Sequence, residues 1–417
     1  VSTATTLHLQ PRSWRLPIIL AVIGVATFVA FGLLGRDETT TFRWSDLSDA
    51  IVLESTSVSP RVLGIVCGLI ALVIAGLAFW YAARRKRAPV WMLVILGAAF
   101  LVALVTFVGA GGSVPVEFLL TGAIGLSTAI VLGALAGVVG ERVGVVNIAI
   151  EAQLLGGAFV AAILASTTGN FFVAIVAAMI TGALISMVLA AFSIKYQVDQ
   201  IIVGVVLIVL VTAITNFLYS SVMSDNSQQF NNPGTVPRIT IPWLSDIPVL
   251  GPVFFDQRIT TYLMFVLVPL TWFVLFKTRC GLRVRALGEH PLAADTVGIR
   301  VNSMRFWTVS IAGLIAGLGG ASLTIGGVGA FVREMSAGQG FIALAAVILG
   351  RWNPWYAALA ALLFGFSNNF RIWAGQVSQI PPDLIAMTPY VVTILAVALV
   401  AGRVLAPRAV GKPYVKS

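Results

Sequence analysis

A single carboxylate, Glu151, lies inside an apolar run of this chain. An ionised acid at the middle of a helix in lipid costs roughly 2.5–3.5 kcal/mol. Glu151 must therefore face a polar cavity or meet a donor. It belongs to the stretch 141–157, ERVGVVNIAIEAQLLGG. Helical i, i+4 spacing puts Asn147, Glu151 and Leu155 on one stripe, with Gln153 on a different face. Glu151 is expected about four residues, or roughly 6 Å, beyond a turn. Two readings stand: a pathway or gating residue, and a structural pin bonded to a neighbouring helix. Further amides in apolar runs are Asn216, Gln339, and the pair Asn368 and Asn369 next to Arg371. An amide offers both donors and acceptors. It can read a neutral ligand's hydroxyls and ring nitrogens, or it can glue helices together.

What is absent narrows the chemistry. The two histidines, His8 and His290, allow neither an HExxH motif nor a histidine-based metal cluster. No GxxxxGK[ST] loop occurs, the one Gly-Lys pair being Gly411-Lys412 followed by Pro413. There is no GxSxG elbow and no carboxylate pair within an apolar run, as a membrane enzyme would want. Transport is the leading class, and any ATP hydrolysis must come from another chain. Cys67 lies in an apolar run and Cys280 in a basic loop, so no disulfide is expected.

The elements that hold these residues are membrane helices. Of the 417 residues, 59% are hydrophobic and 10% charged, and the mean hydropathy is +0.99. Soluble domains carry roughly 25% charged residues, so a water-soluble fold is excluded, as is disorder. Runs long enough to cross a bilayer fall at 16–34, 60–82, 90–110, 118–139, 148–165, 171–192, 201–219, 259–276, 306–328, 355–370 and 385–402. A twelfth, 338–350, is short. The expected fold is an all-α integral membrane protein of about 12 spans, the short one discontinuous. Run 16–34 is long for a signal-peptide core and no A-x-A site follows it, so it reads as a retained anchor. With both termini cytoplasmic, inside segments hold 19 of the 26 Lys and Arg and outside segments seven; of the 16 acids, four fall inside and 11 outside. That is the positive-inside pattern. It accounts for the net charge of +10 without a nucleic-acid partner. The longest loops, 35–59 and 220–258, lie outside and are too short for cores of their own.

Two further stretches stand out. The basic loop 277–305 reads KTRCGLRVRALGEHPLAADTVGIRVNSMR. Pro291 and Gly298 bracket a short helix with an apolar surface from Leu292, Ala293, Ala294, Val297 and Ile299. So short a helix needs a partner surface. Alternatively it lies on lipid headgroups, with Arg283 and Arg285 snorkelling. The stretch 313–350 is rich in Gly and Ala, which let helices approach closely. Run 338–350 spans only about 20 Å as a helix. Short or broken helices mark substrate sites in many transporters. The other reading is a tilted short span buried among longer ones.

ERVGVVNIAIEAQLLGGAF, QVDQIIVG, GLRVRALGEHPLAADTVGIRV and GQGFIALAAVILGRWNP together resemble the permease subunits of ABC importers. The class is that of the branched-chain amino acid and ribose permeases, and the nearest branch is the simple-sugar and nucleoside one. The resemblance covers about 115–410. It implies an N-terminal extension with three spans over 1–112, a permease core over 113–405 and a cytoplasmic tail over 406–417. It also implies that the loop holding Arg285, Ala286, Gly288, Glu289, Pro291, Ala293, Ala294 and Gly298 docks on an ATPase. Implied partners are a second permease subunit in a homo- or heterodimer, an ATPase subunit with two nucleotide-binding halves, and an extracytoplasmic solute-binding protein. The chain itself is then no enzyme, holds no cofactor and resides in the inner (plasma) membrane. Ala152 stands where many relatives have Gly, and His290 where Asn is usual. A path lined by Asn147, Glu151, Gln153, Asn216, Gln339, Asn368 and Asn369 suits neutral polar solutes, because no basic residue falls within an expected span beyond Arg61 at the edge of one. Resemblance ranks a nucleoside first and a simple sugar second. An ion-coupled secondary transporter, which would want intramembrane carboxylates, comes third, ahead of a membrane subunit with no transport path.

Overall fold

The computed structural model describes residues 14–415, except 47–48, 50, 87, 378–380, 389–390 and 393–405. Among these residues, nine helices are long and apolar enough to cross a membrane, and the short strands lie in the connections between helices. The chain is a multi-pass, mostly helical membrane protein. It divides into two compact units, Val1–Leu119 with Phe370–Ala401, and Leu120–Asn369 with Gly402–Ser417.

In the first unit, α1 (Arg15–Thr27) runs on into a π-helical turn, Phe28–Leu33. Strands β1 (Thr40–Arg43) and β2 (Thr56–Val58) follow, then α2 (Pro60–Ala83), α3 (Val90–Val108) and β3 (Ser113–Pro115). The strands form one small sheet in the order β2-β1-β3. β1 runs antiparallel to β2, with Thr41 opposite Ser57, and parallel to β3, with Phe42 opposite Val114. On α2, Gly64 and Gly68 stand four residues apart and meet the backbone of Phe31 and Phe28; a Cβ on Gly68 would come within 2.6 Å of Phe28 Cα. Small residues at this spacing let two helices pack in lipid, where no hydrophobic drive between helices exists.

The second unit opens with α4 (Val116–Arg142), whose first residues belong to the first unit. It continues through α5 (Ile150–Thr168), α6 (Phe171–Ala190), α7 (Gln200–Leu218), the short α8 (Ser227–Phe230), β4 (Arg238–Thr240), α9 (Leu250–Phe255) and β5 (Asp256–Arg258). Then come α10 (Ile259–Lys277), α11 (Arg279–Glu289), α12 (Pro291–Thr296), α13 (Val301–Leu323), α14 (Gln339–Leu349), α15 (Pro354–Val377) and α16 (Pro382–Ala386), the last back in the first unit. Caps explain several helix starts. Asn170 accepts from the N–H groups of Phe172 and Val173, and Asp199 from those of Ile201 and Ile202, satisfying donors that a helix leaves free at its first turn.

Helices α5, α6 and α13 meet through glycine. A Cβ on Gly157 would come within 2.6 Å of Gly317 O, and one on Gly320 within 2.6 Å of Ala158 N. Gly182 and Gly313 exclude each other's side chains in the same way. Of the twelve expected spans, 338–350 is α14, with 11 residues, and 355–370 lies inside the 24-residue α15. Run 385–402 falls largely outside the described residues.

Candidate functional site

The short helix α14 organises the site. It lies along the C-terminal half of α4 and runs the same way. A Cβ on Gly133 would come within 3.0 Å of Ala343 Cβ, and one on Gly137 within 2.8 Å of Val347 Cγ2. Beyond α14, Trp352 Nε1 donates to Glu141 and Arg142 Nε donates to Trp352 O at 2.9 Å. α14 therefore ends level with the end of α4 and begins roughly 18 Å before it, counting 1.5 Å per residue. Its N-terminus is almost halfway along α4. This is the half-helix that the short apolar run anticipates.

The N–H groups at that N-terminus are all engaged. Glu151 Oε1 accepts from Gly338 N at 2.9 Å and Oε2 from Gly340 N at 2.6 Å. Gln339 N donates to Ser336 O at 2.8 Å and Phe341 N to Gly338 O at 3.0 Å. A carboxylate is favoured here because the free N–H groups and the helix dipole place positive potential at this end. Gly338 has φ +79°, and a Cβ on Gly340 would come within 2.5 Å of Glu151 N, so the approach needs both glycines. Glu151 is buried and caps a helix that follows it by nearly 190 residues.

Glu151 also lies deeper than residue counting places it. The neighbouring Ile150 packs against Gly133 and Gly137, about 8–14 Å from the α4 terminus. Residues 143–149 are not helical and climb faster per residue than a helix does. The same irregular stretch overturns the expected stripe. Asn147 precedes the first turn of α5, so i, i+4 spacing does not apply to it. Instead it bends back onto Gln153: Asn147 Nδ2 donates to Gln153 Oε1 at 3.2 Å, and Gln153 Nε2 donates to Asn147 Oδ1 at 3.1 Å. Gln153 Nε2 also donates to Ser186 Oγ on α6 at 2.8 Å. Both amides are fully buried, and Val146 N donates to Gln200 Oε1 beside them at 2.7 Å.

The other amides are placed differently. On α7, Asn216 Nδ2 donates to Glu334 Oε1 at 3.2 Å, while its Oδ1 is buried without a partner; so is Oε1 of Gln339. Glu334 sits on the segment leading into α14, with φ +55°. Arg333 beside it donates to Ser220 Oγ at 2.7 Å and lies over the Tyr219 ring. Phe331 anchors this segment. Its ring is buried edge-on against Phe159, and its backbone exchanges bonds of 2.9 and 2.7 Å with the Asn231 amide. Asn369 is buried against Gly122 of α4, and Asn368 is half-buried. Sequence reasoning does not single out Glu334, Ser186 or Gln200. A carboxylate five residues before a short apolar run is the signal that would have found Glu334.

At the other functional stretch, the Thr278 hydroxyl accepts from Gly281 N at 3.1 Å and caps α11. Pro291 opens α12, and Gly298, at φ +84°, follows its end. The guanidiniums of Arg142 and Arg285 both lie over the Phe276 ring, at 5.4 and 5.0 Å. Gly288 and Ala294 face the protein's own body. Leu292, Ala293, Thr296 and Val297 face outward, as do Glu289 and Gly298. Leu292 and Val297 are 58% and 74% exposed, which makes an apolar knob on a six-residue helix. Ala286 and Pro291 are half-buried.

Residues 118–399 match the family described as the permease component of branched-chain amino acid transport systems. The chain is 39% identical over 298 residues to the guanosine ABC transporter permease NupQ of Bacillus subtilis, covering 69% of this chain and 93% of the relative. It is 37% identical over 302 residues to the nucleoside ABC transporter permease NupC of Lactococcus lactis, covering 70% and 94%. A putative glucose ABC transporter permease of Haloferax volcanii is 30% identical over 264 residues, covering 62% and 78%. No solved structure matches the chain.

Proposed function

Because this chain belongs to the family of permease components of branched-chain amino acid transport systems, we propose that it is the solute-conducting subunit of an ATP-driven importer for nucleosides. As an ABC permease component it works with the other parts of such a system. In the full reading these are a second permease subunit, an ATPase subunit with two nucleotide-binding halves, and an extracytoplasmic solute-binding protein. The chain then binds no cofactor, and ATP is hydrolysed on the partner. Its place is the inner membrane, with both termini cytoplasmic.

The observation that carries the substrate reading is the occupied N-terminus of α14. In transporters with broken helices, such an end faces anionic groups of the substrate. Here Glu151 takes two of the N–H groups and adds a negative charge, so an anionic solute is disfavoured at this end. The polar groups left with spare capacity nearby in sequence and on α7 are acceptors: Gln339 Oε1 and Asn216 Oδ1. A neutral solute rich in O–H and N–H donors suits them, and a nucleoside is one. The names of the guanosine and nucleoside permeases among the relatives support the same choice.

A simple sugar is the second reading, favoured by the glucose-type relative and by the same acceptors. An ion-coupled carrier is disfavoured because Glu151, the carboxylate it would use, is committed to a helix cap. ATP coupling rests on α12, whose exposed Leu292 and Val297 give a partner subunit an apolar grip. Labelled guanosine and uridine uptake, with glucose and ribose as competitors, tests the assignment in cells with and without the gene. Uptake blocked by an ATPase subunit unable to hydrolyse ATP, and not competed by sugars, is the expected result. Competition by the sugars alone would move the assignment to them. Concentrative uptake driven by an ion gradient through this chain alone would overturn the ABC mechanism.

A further inference from the structure

The described part of the tail, 406–415, has no helix, yet parts of it are as buried as the core. Pro407, Ala409 and Tyr414 are buried, while Arg408 and Lys412 point outward. Two successive turns shape it, with Val410 N donating to Pro407 O at 3.1 Å and Lys412 N to Ala409 O at 3.2 Å. Each turn of this segment is fastened to a different element. Ala409 N donates to Gly288 O at 2.8 Å, supplying a donor to the end of α11, where a helix leaves its last carbonyls unpaired. Gly411 N donates to Gly144 O at 3.3 Å, on the turn between α4 and α5. Lys412 O accepts from Arg305 Nη1 at 3.1 Å. The Tyr414 side chain is buried, with its hydroxyl left without a hydrogen-bond partner, and burial, then the Asp295 carboxylate of α12, pushes the phenol above its usual value.

The contacts leave no room for substitution at the joints. Gly288 lies directly on the backbone of Arg142, with Pro407 Cβ 3.4 Å from where its own Cβ would stand. Gly144 has φ +95°, and a Cβ there would come within 2.8 Å of Arg305 Nη2 and 3.3 Å of Ala409 O. Arg305 was expected just before a span that begins at 306. The helix begins instead at Val301, so Arg305 lies within α13 and is 2% exposed.

We propose that residues 406–415 are a strap that positions α12 and ties it to the turn carrying Asn147 and Glu151. The proposal rests on the reading of α12 as the ATPase contact. A six-residue helix takes its orientation from its mounting. The strap holds the loop at Gly288, directly before α12, and buries Tyr414 at its far end. Its third joint, Gly144, precedes Asn147 by three residues and Glu151 by seven. A displacement of α12 is thereby delivered to the segment that caps the half-helix. Ala409, Arg305 and Tyr414 are positioning residues in this arrangement, acting through α12.

The test uses the complete transporter reconstituted in liposomes, with tritiated guanosine as the probe and both ATP hydrolysed and solute moved recorded. Ala409→Pro removes the N–H that bonds Gly288. Tyr414→Ala removes the buried ring that anchors the end of the strap, and Tyr414→Phe restores its packing. Both Ala409→Pro and Tyr414→Ala should lower solute moved per ATP at least about 5-fold with hydrolysis retained, and Tyr414→Phe should recover most of the loss. Cross-linking from Val297→Cys to the ATPase should weaken in step. An unchanged ratio in Tyr414→Ala overturns the strap, and so does a loss of transport and hydrolysis in equal proportion, which marks a merely structural segment. If wild-type uptake does not need ATP, the fault lies in the ABC reading itself, and this arm separates the two failures.

Discussion

Asn147 with Gln153 and Asn216 with Gln339 are the same kind of residue in the same unit, and they do opposite things. The first pair is closed. Its two amides satisfy each other, Ser186 takes the spare donor, and both are fully buried. The second pair is open. Asn216 spends its donor on Glu334, and the carbonyl oxygens of Asn216 and Gln339 are left without partners. A buried unpartnered polar atom costs about 1–3 kcal/mol, so each one retained in a fold calls for an explanation. On the proposed reading the closed pair is glue and the open one meets the solute, a difference that amide content alone does not reveal.

Removing Glu151 should have the largest effect, because it leaves two N–H groups at the start of α14 without a partner. Glu151→Ala orphans the N–H groups of Gly338 and Gly340, at roughly 2–6 kcal/mol in total. Thermal unfolding of the detergent-solubilised permease should fall, and uptake should be lost. Glu151→Gln keeps one acceptor and turns an NH2 toward the other donor, so its stability should lie between Glu151→Ala and wild type. Equal stability of Glu151→Gln and wild type would contradict the bidentate cap.

Gln153→Leu breaks the closed pair and strands Asn147. The expected cost is about 1–3 kcal/mol, seen as reduced thermal stability with an unchanged KM for the protein that survives. Removing the spare acceptors of the second pair should do the reverse. Gln339→Ala and Asn216→Leu should raise the KM for guanosine about 2- to 12-fold, the equivalent of one neutral hydrogen bond of roughly 0.5–1.5 kcal/mol, with stability nearly unchanged. A stability loss without a KM change in Gln339→Ala would mean that both clusters are glue.

The smallest effect should come from the double variant Asn147→Leu with Gln153→Leu. Replacing both partners of a buried bond by apolar groups of similar shape is close to neutral, so the double variant should be more stable than Gln153→Leu alone. A double-mutant cycle in unfolding experiments measures that coupling. Strict additivity would show that the reciprocal bonds do not hold the α4–α5 turn to α5.

Much of the site is legible in composition and spacing. A carboxylate in an apolar run demands a partner, and Glu151 has two. A run of 13 apolar residues is too short to cross alone, and α14 is indeed a half-helix. Pro291 and Gly298 bracket a helix because Pro suits a first turn and Gly a left-handed exit, and α12 lies between them. Other features are not legible. Helical spacing separates Asn147 from Gln153, but the irregular stretch 143–149 brings them together. The strap has no periodicity to read, since its two turns follow no repeat, and Arg305 reads as a loop cation until α13 is seen to begin at Val301.

The division has a physical cause. Apolar length, charge bias and cap residues act over windows of about 20 residues or fewer, so span positions and helix ends follow from the chain's own order. The partners of its polar groups do not. Glu151 meets Gly338 and Gly340, which stand 187 and 189 positions away. Arg305 meets Lys412 across 107 positions. In the interior of a membrane protein each such group must find a partner or keep a spare valence. Which of the two occurs depends on how helices joined by glycine contacts stack, and only the packed molecule decides that.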